Sequence, residues 1–179
     1  LDGDKIVTRL KKQESYINDV KIIKDYPDKL KIDIEERKPL AMILNNGVYI
    51  VFDGQGKILE DSQNGLRVEV PIVKGTGYVF HKEKIEFTEP LEEIVRQVDN
   101  LESSLIKKID LIKYKKVEGQ AESLELKILN DISVYMGDFK NLKEKFKIMS
   151  ATLKKIETEK WKVKYVNLKY PEKPVYKLK

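Results

Sequence analysis

The chain has 179 residues, of which 35 are basic, 30 acidic and 41% apolar, with one His, no Cys and a net charge of +5. It is long enough for one or two domains with a packed core, and the absence of Cys excludes a disulfide framework, a thiolate nucleophile and a Cys-based zinc site. With His81 as the single imidazole, His-rich metal sites and the H-E-x-x-H motif are excluded too.

The chain begins at Leu1 with no basic or apolar leader and reads as a piece of a longer protein. Its longest apolar run is six residues, Pro39 to Leu44, against the roughly 18 that a membrane span needs. The first predicted element is a helix from Lys5 to Asn18, with Ile6, Leu10 and Ile17 toward one face. Val20, Ile22 and Ile23 form a β-branched run that ends in a turn at Asp25-Tyr26-Pro27-Asp28. Leu30, Ile32 and Ile34 then alternate with Lys29, Lys31, Asp33 and Glu35, the period of a half-buried antiparallel strand.

Val48 to Phe52 predicts a strand, Asp53-Gly54-Gln55-Gly56 a tight hairpin turn and Lys57-Ile58-Leu59 the return. Arg67 to Gly75 predicts a short strand and turn. Leu91, Ile94, Val98, Leu101 and Leu105 step by three and four, predicting an amphipathic helix over 90–107 with Thr88 as its N-cap. Three strands follow, at Ile109–Tyr114, Leu124–Leu129 and Ile132–Met136. A second long helix opens at Gly137-Asp138, its stripe being Phe139, Leu142, Phe146, Met149, Leu153 and Ile156. Its lysines, Lys145 among them, are expected on a solvated face. The terminal region Trp161–Leu178 alternates like a strand and is interrupted at Pro171 and Pro174, which confines it to a sheet edge.

Charge follows these boundaries. Residues 1–44 carry 10 basic and 9 acidic side chains, 45–89 carry 5 and 7, 90–137 carry 7 and 9, and 138–179 carry 13 and 5. The positive excess therefore falls on the second long helix and the terminal strand, where it complements an acidic partner, an anionic surface or nucleic acid. Lys outnumbers Arg 31 to 4, which disfavours base readout by the planar Arg fork.

Little in the chain resembles catalytic machinery. Asp53 and Glu86 are two of many acids, and Asp53-Gly54 is better explained as a turn. His81 has no partner motif. The Gly-x-Gly pairs at Gly54–Gly56 and Gly75–Gly77 lack the rest of a phosphate loop. No enzyme activity, cofactor or metal is expected. A terminal edge strand, in contrast, offers unpaired backbone groups that a partner strand can take up.

Tyr16-Ile17-Asn18-Asp19-Val20 and Tyr26 through Ala41 are similar to the latter part of the POTRA domain of the FtsQ/DivIB family of bacterial cell-division proteins. Val51 through Leu59 resembles its D-x-x-G-x-hydrophobic hairpin, and Val70-Pro71-Ile72-Val73-Lys74-Gly75 its L-P-x-[IV]-x-G segment. Val134-Tyr135-Met136-Gly137 resembles the strand before its Lys-bearing helix. Tyr165 through Tyr176 resembles its terminal V-D-L-R-Y-P-x-K-P-V strand, with Asn167 where Asp is usual and Lys169 where Arg is usual.

The resemblance implies an α+β chain: a partial POTRA domain over 1–44, lacking its first strand and helix, and a β domain over 45–179 whose mixed or antiparallel sheet packs on two helices. It implies a non-catalytic divisome scaffold at the cytoplasmic membrane, single-pass in the full-length protein, with this segment on the extracytoplasmic side. Its expected partners are FtsB/DivIC-like and FtsL-like proteins, taken by strand addition at the C-terminal edge, and other divisome components through the POTRA domain. The partner-binding residues it implies are Lys169, Tyr170, Glu172, Lys173, Val175 and Tyr176. The alternatives are a POTRA-type polypeptide-binding module of secretion or outer-membrane assembly, and nucleic-acid binding through the Lys-rich helix.

Overall fold

Asp4 in its first turn and Lys11 and Lys12 in its last complement the dipole of the first helix, α1 (Gly3–Gln13). The computed structural model describes residues 3–25, 29–62, 68–116, 118–119, 121–129 and 131–179. Helix α1 stops short of the predicted Asn18. Ile17 is already paired with Glu36 across a hairpin, and the Arg37 N–H donates to the Tyr16 carbonyl, so the chain is claimed by strand β1 (Ile17–Asp25).

Strand β1 pairs antiparallel with β2 (Lys29–Glu36) as a separate two-stranded sheet, in register Val20 to Ile34 and Ile22 to Ile32. The turn expected at Asp25–Asp28 lies, at residues 26–28, outside the described residues. The alternation in β2 is real, yet its apolar face is not half-buried as expected. Leu30, Ile32 and Ile34 are 43%, 43% and 51% exposed. The reason is placement: α1 lies against β1, where Val20 is buried, and leaves the β2 half of that face uncovered.

From Leu40 onward the chain builds a nine-stranded mixed sheet. Strands β3 (Ala41–Asn45), β4 (Val48–Phe52) and β5 (Ile58–Ser62) form an antiparallel meander. Strand β6 (Ile72–Lys74) inserts parallel to β3 on one side and to β9 (Ile109–Lys115) on the other. Strands β10 (Ser123–Ile128) and β11 (Ile132–Gly137) continue antiparallel, β12 (Val163–Asn167) joins β11 in parallel, and β13 (Val175–Leu178) closes the order as an edge. The strand Ala41–Asn45 thus straddles the expected boundary at 44/45. A small hairpin, β7 (Tyr78–Phe80) and β8 (Ile85–Phe87), stands apart.

The core gathers buried residues of this sheet, such as Ile43, Ile112, Leu126 and Val134, with those of α2 (Leu91–Asp99) and α4 (Leu142–Thr158). Leu91, Ile94 and Val98 of α2, Leu105 and, in α4, Leu142, Phe146, Met149, Leu153 and Ile156 are buried as the stripes predict; Val95 is buried as well, while Leu101 and Phe139 are only half-buried and Phe139 precedes α4. The predicted helix over 90–107 is instead two helices, α2 and the short α3 (Ser103–Ile106). Asn100 ends the first by folding its amide onto the Arg96 carbonyl at 2.8 Å. Thr88 does not cap α2 through its side chain; its carbonyl accepts the Leu91 and Glu92 N–H groups.

Helix α4 opens at Leu142, not at Asp138. Its lysine face is not wholly solvated either, since Lys145 is 1% exposed. Lys145 sits among the apolar positions of the helix, and its Nζ donates to the Asp138 carbonyl at 2.9 Å and the Asp138 carboxylate at 2.8 Å. A buried ammonium is tolerated when it is so paired.

The two outer strands of the large sheet differ. The β5 edge is covered: Ile58 N–H donates to the Glu83 carbonyl at 3.0 Å, Lys57 bridges to Lys84, and Ser15 Oγ donates to the Leu59 carbonyl. The β13 edge has β12 as its sole strand neighbour among the described residues.

Candidate functional site

The sequence-expected site residues collect at the β13 end of the sheet. Leu168 and Pro171 are buried, and the Leu168 N–H donates to the Tyr135 carbonyl at 2.7 Å. Between these two anchors the chain turns outward, so that Tyr170 is 61% exposed. The Lys173 N–H closes the following turn on the Tyr170 carbonyl at 3.0 Å. Lys169, Glu172, Lys173, Val175 and Tyr176 are all exposed, Val175 at 55% and Tyr176 at 46%.

Local chemistry fixes this loop. Asn167 accepts the Lys169 N–H on its Oδ1 at 3.0 Å, so the side chain at this position serves the turn. Gly137, at φ +71°, receives the stem of Lys169: a Cβ there would lie 2.8 Å from Lys169 Cγ. The Lys169 ammonium sits 5.6 Å from the centre of the Tyr170 ring, a cation–π pair that turns the two residues into one surface feature.

Strand β13 pairs antiparallel with β12, Asn167 to Val175 and Val166 to Tyr176. Successive side chains leave on opposite faces. Tyr176 stacks on Trp161 at 5.3 Å with the rings 23° apart, and Lys155 lies 5.4 Å over the Trp161 ring. Tyr135 and Tyr165 meet edge-on at 5.9 Å. The structure therefore brings five of the expected residues to one edge and loop, and ties the sixth, Tyr176, to Trp161. Gly137 and Trp161 were not singled out as part of this site by sequence reasoning. Gly137 was legible only as the end of a strand, because its contact with Lys169 spans a long stretch of chain.

The remaining candidates are structural. Asp53 is buried, accepts the Gln55 and Lys57 N–H groups at 2.9 Å each and pairs with Arg37 at 2.8 Å. His81 is exposed and faces Glu86 at 3.0 Å. No group of three or more metal-ligating side chains occurs among the described residues. No described helix is long and apolar enough to cross a membrane.

No family model matches the chain. It is similar to a curated cell division protein FtsQ of Caulobacter vibrioides, 31% identical over 62 residues, which are 35% of this chain and 20% of that protein. It is also similar to the cell division protein DivIB of Clostridium tetani, 28% identical over 171 residues, which are 92% of this chain and 62% of that protein. These relatives carry the names FtsQ and DivIB, those of the family that the segments of the sequence resemble. It spans 20% to 62% of the length of these FtsQ and DivIB relatives. A solved structure of the major extracytoplasmic domain of DivIB from Geobacillus stearothermophilus covers 69% of the chain and 97% of its own length, at 13% identity and a TM-score of 0.46. The α+β class with a large mixed sheet, expected for an FtsQ/DivIB protein, is the observed one.

Proposed function

We propose that this chain is the extracytoplasmic part of a non-catalytic cell-division scaffold, anchored in the cytoplasmic membrane in its full-length form. In this reading it takes FtsB/DivIC-like and FtsL-like partners by strand addition at β13. The observation that carries it is the open edge of β13 flanked by Tyr170 and Val175, both more than half exposed. An unpaired edge supplies main-chain hydrogen bonds, and an exposed aromatic beside it supplies an anchor. The lysines of residues 138–179 suit an acidic partner segment. The printed names of the relatives, cell division proteins FtsQ and DivIB, support the divisome role.

The same reading divides the chain into a POTRA-like unit before Leu40 and a β domain after it, because β3 pairs in the large sheet. The uncovered Leu30, Ile32 and Ile34 favour the N-terminal unit as the contact for other divisome components. Nucleic-acid binding by α4 gains no support: Lys145 is buried and Lys154 is paired with Glu102.

The test is a binding titration against the extracytoplasmic segments of the two partner types. Tyr170→Ala and Val175→Asp should each weaken binding about tenfold or more with unchanged circular dichroism. Affinity within about twofold of wild type for both variants would remove β13 as the docking edge.

A further inference from the structure

A cavity of about 530 Å³ opens at the end of the sheet opposite the Tyr170 loop, between α4, α3 and the first residues of β12. Its size falls in the range of small-ligand sites, roughly 300–1,000 Å³. Leu105, Ile128, Ile132, Leu153, Ile156 and Val163 form the wall, and Trp161 closes one side. Ser104 is the one uncharged polar side chain in the lining. A peptide backbone placed there would leave its amides facing aliphatic walls. An unbranched hydrocarbon would not.

The mouth is charged, and its charges do not balance. Glu102 is held by Lys154 at 2.6 Å and Glu157 by Lys108 at 2.8 Å, so both acids are already neutralised. Lys160 and Lys162 also line the mouth and have no acidic partner among the described residues. Both are exposed, Lys160 on a left-handed turn with φ +54° that ends the helix beside Trp161. Two unpaired ammonium groups above an aliphatic chamber complement an anionic head on a single hydrocarbon tail.

We propose that this cavity binds a single-chain anionic amphiphile, its tail between α4 and the sheet and its acidic head against Lys160 and Lys162. This site adjoins the end of β13, since Lys179 lines it and Trp161 stacks on Tyr176, but its occupancy does not require strand addition there. Trp161 lines it and is the chain's sole tryptophan, so its fluorescence reports occupancy without a label.

The experiment titrates the 179-residue chain with decanoate and dodecanoate below their micellar concentrations, following Trp161 emission. Dodecyltrimethylammonium and anionic phospholipid vesicles serve as separate arms. The expected result is saturable binding that tightens about fourfold per added methylene and is at least tenfold weaker for the cationic amphiphile. The double variant Lys160→Glu, Lys162→Glu should weaken dodecanoate binding at least tenfold while its melting temperature holds. Leu129→Glu, at an exposed position of the mouth, should weaken it as well. Equal binding of the cationic amphiphile, no dependence on tail length, or unchanged binding in the double variant would each overturn the assignment. A Trp161 response to vesicles with none to dodecanoate would assign the lysines to a membrane surface instead. Displacement of the Trp161 signal by an acidic, apolar peptide, with no response to dodecanoate, would assign the cavity to a protein partner.

Discussion

Lys145 reaches back from the first turn of α4 to hold Asp138 twice, by its main-chain carbonyl at 2.9 Å and its carboxylate at 2.8 Å. The Lys145 side chain is 2% exposed and the Asp138 side chain 42%. Asp138→Ala, which removes the carboxylate and leaves the buried ammonium only the main-chain carbonyl at 138, should cost about 1–3 kcal/mol. Lys145→Met keeps the stem volume and leaves the carboxylate free to hydrate, so it should stay within about 1 kcal/mol of wild type. Urea denaturation measures both. The Lys145 hydrogen bond, ahead of its charge, holds the Asp138 carboxyl below the ordinary value of 3.8. Its contribution is therefore present above pH 3.8 and lost as the pH falls through the folded-state pKa. The stability gap between wild type and Asp138→Asn should close over that acid interval.

Gly75 and Tyr114 form a second tight contact. A Cβ on Gly75 would lie 2.2 Å from Cε1 of the Tyr114 ring, and the ring is buried. Gly75→Ala should destabilise by about 1–3 kcal/mol, because neither the backbone nor the packed ring can give way freely. Burial pushes the Tyr114 phenol up, and its hydroxyl has no hydrogen-bond partner among the described residues. Tyr114→Phe should therefore be neutral or stabilising by up to about 1 kcal/mol in thermal melts.

Asp99 rests on the backbone of Gly54, where a Cβ would fall 2.5 Å from the Asp99 carboxyl carbon. Desolvation and the charge of nearby Asp53 raise its pKa above the ordinary 3.8. The folded chain thus binds the Asp99 proton more tightly than the unfolded chain. Stability falls as the pH rises from 3.8 through the folded-state value, and the deficit persists above it. Asp99→Asn should be more stable than wild type at neutral pH by about 0.3–0.5 kcal/mol after solvent screening. The two should converge below pH 3.8.

Gly137→Ala tests the support under the Tyr170 loop. The residue needs positive φ and zero side-chain volume beneath Lys169. The substitution should cost about 1 kcal/mol in backbone conformation alone and displace Lys169. Under the proposed function it should weaken partner binding with Tyr170 and Val175 intact, a comparison that calorimetry provides.

Legibility in the sequence followed range. The α4 stripe and the hairpin at Asp53–Gly56 were readable because helical period and turn chemistry are local. The two-strand period of β2 was readable too, but its burial was not: whether Leu30, Ile32 and Ile34 are covered depends on where α1 lands. Lys145 misled because a lysine is ordinarily solvated, and its partner Asp138 lies beyond the end of the helix. The insertion of β6 between β3 and β9 left no local trace, since parallel pairing joins segments distant in sequence. The six expected site residues come from the resemblance, and their common edge is geometry; Gly137 and Trp161 enter only with tertiary structure.

The covered β5 margin, closed by Glu83, Lys84 and Ser15, leaves the sheet able to grow in one direction only. A sheet with a single open margin among the described residues is a chain terminator. Two copies meeting β13 to β13 would exhaust each other, and pairing through the large sheet would not propagate further. At high local concentration, assembly through this sheet stops at a pair, so the number of molecules sets how many β13 margins are on offer.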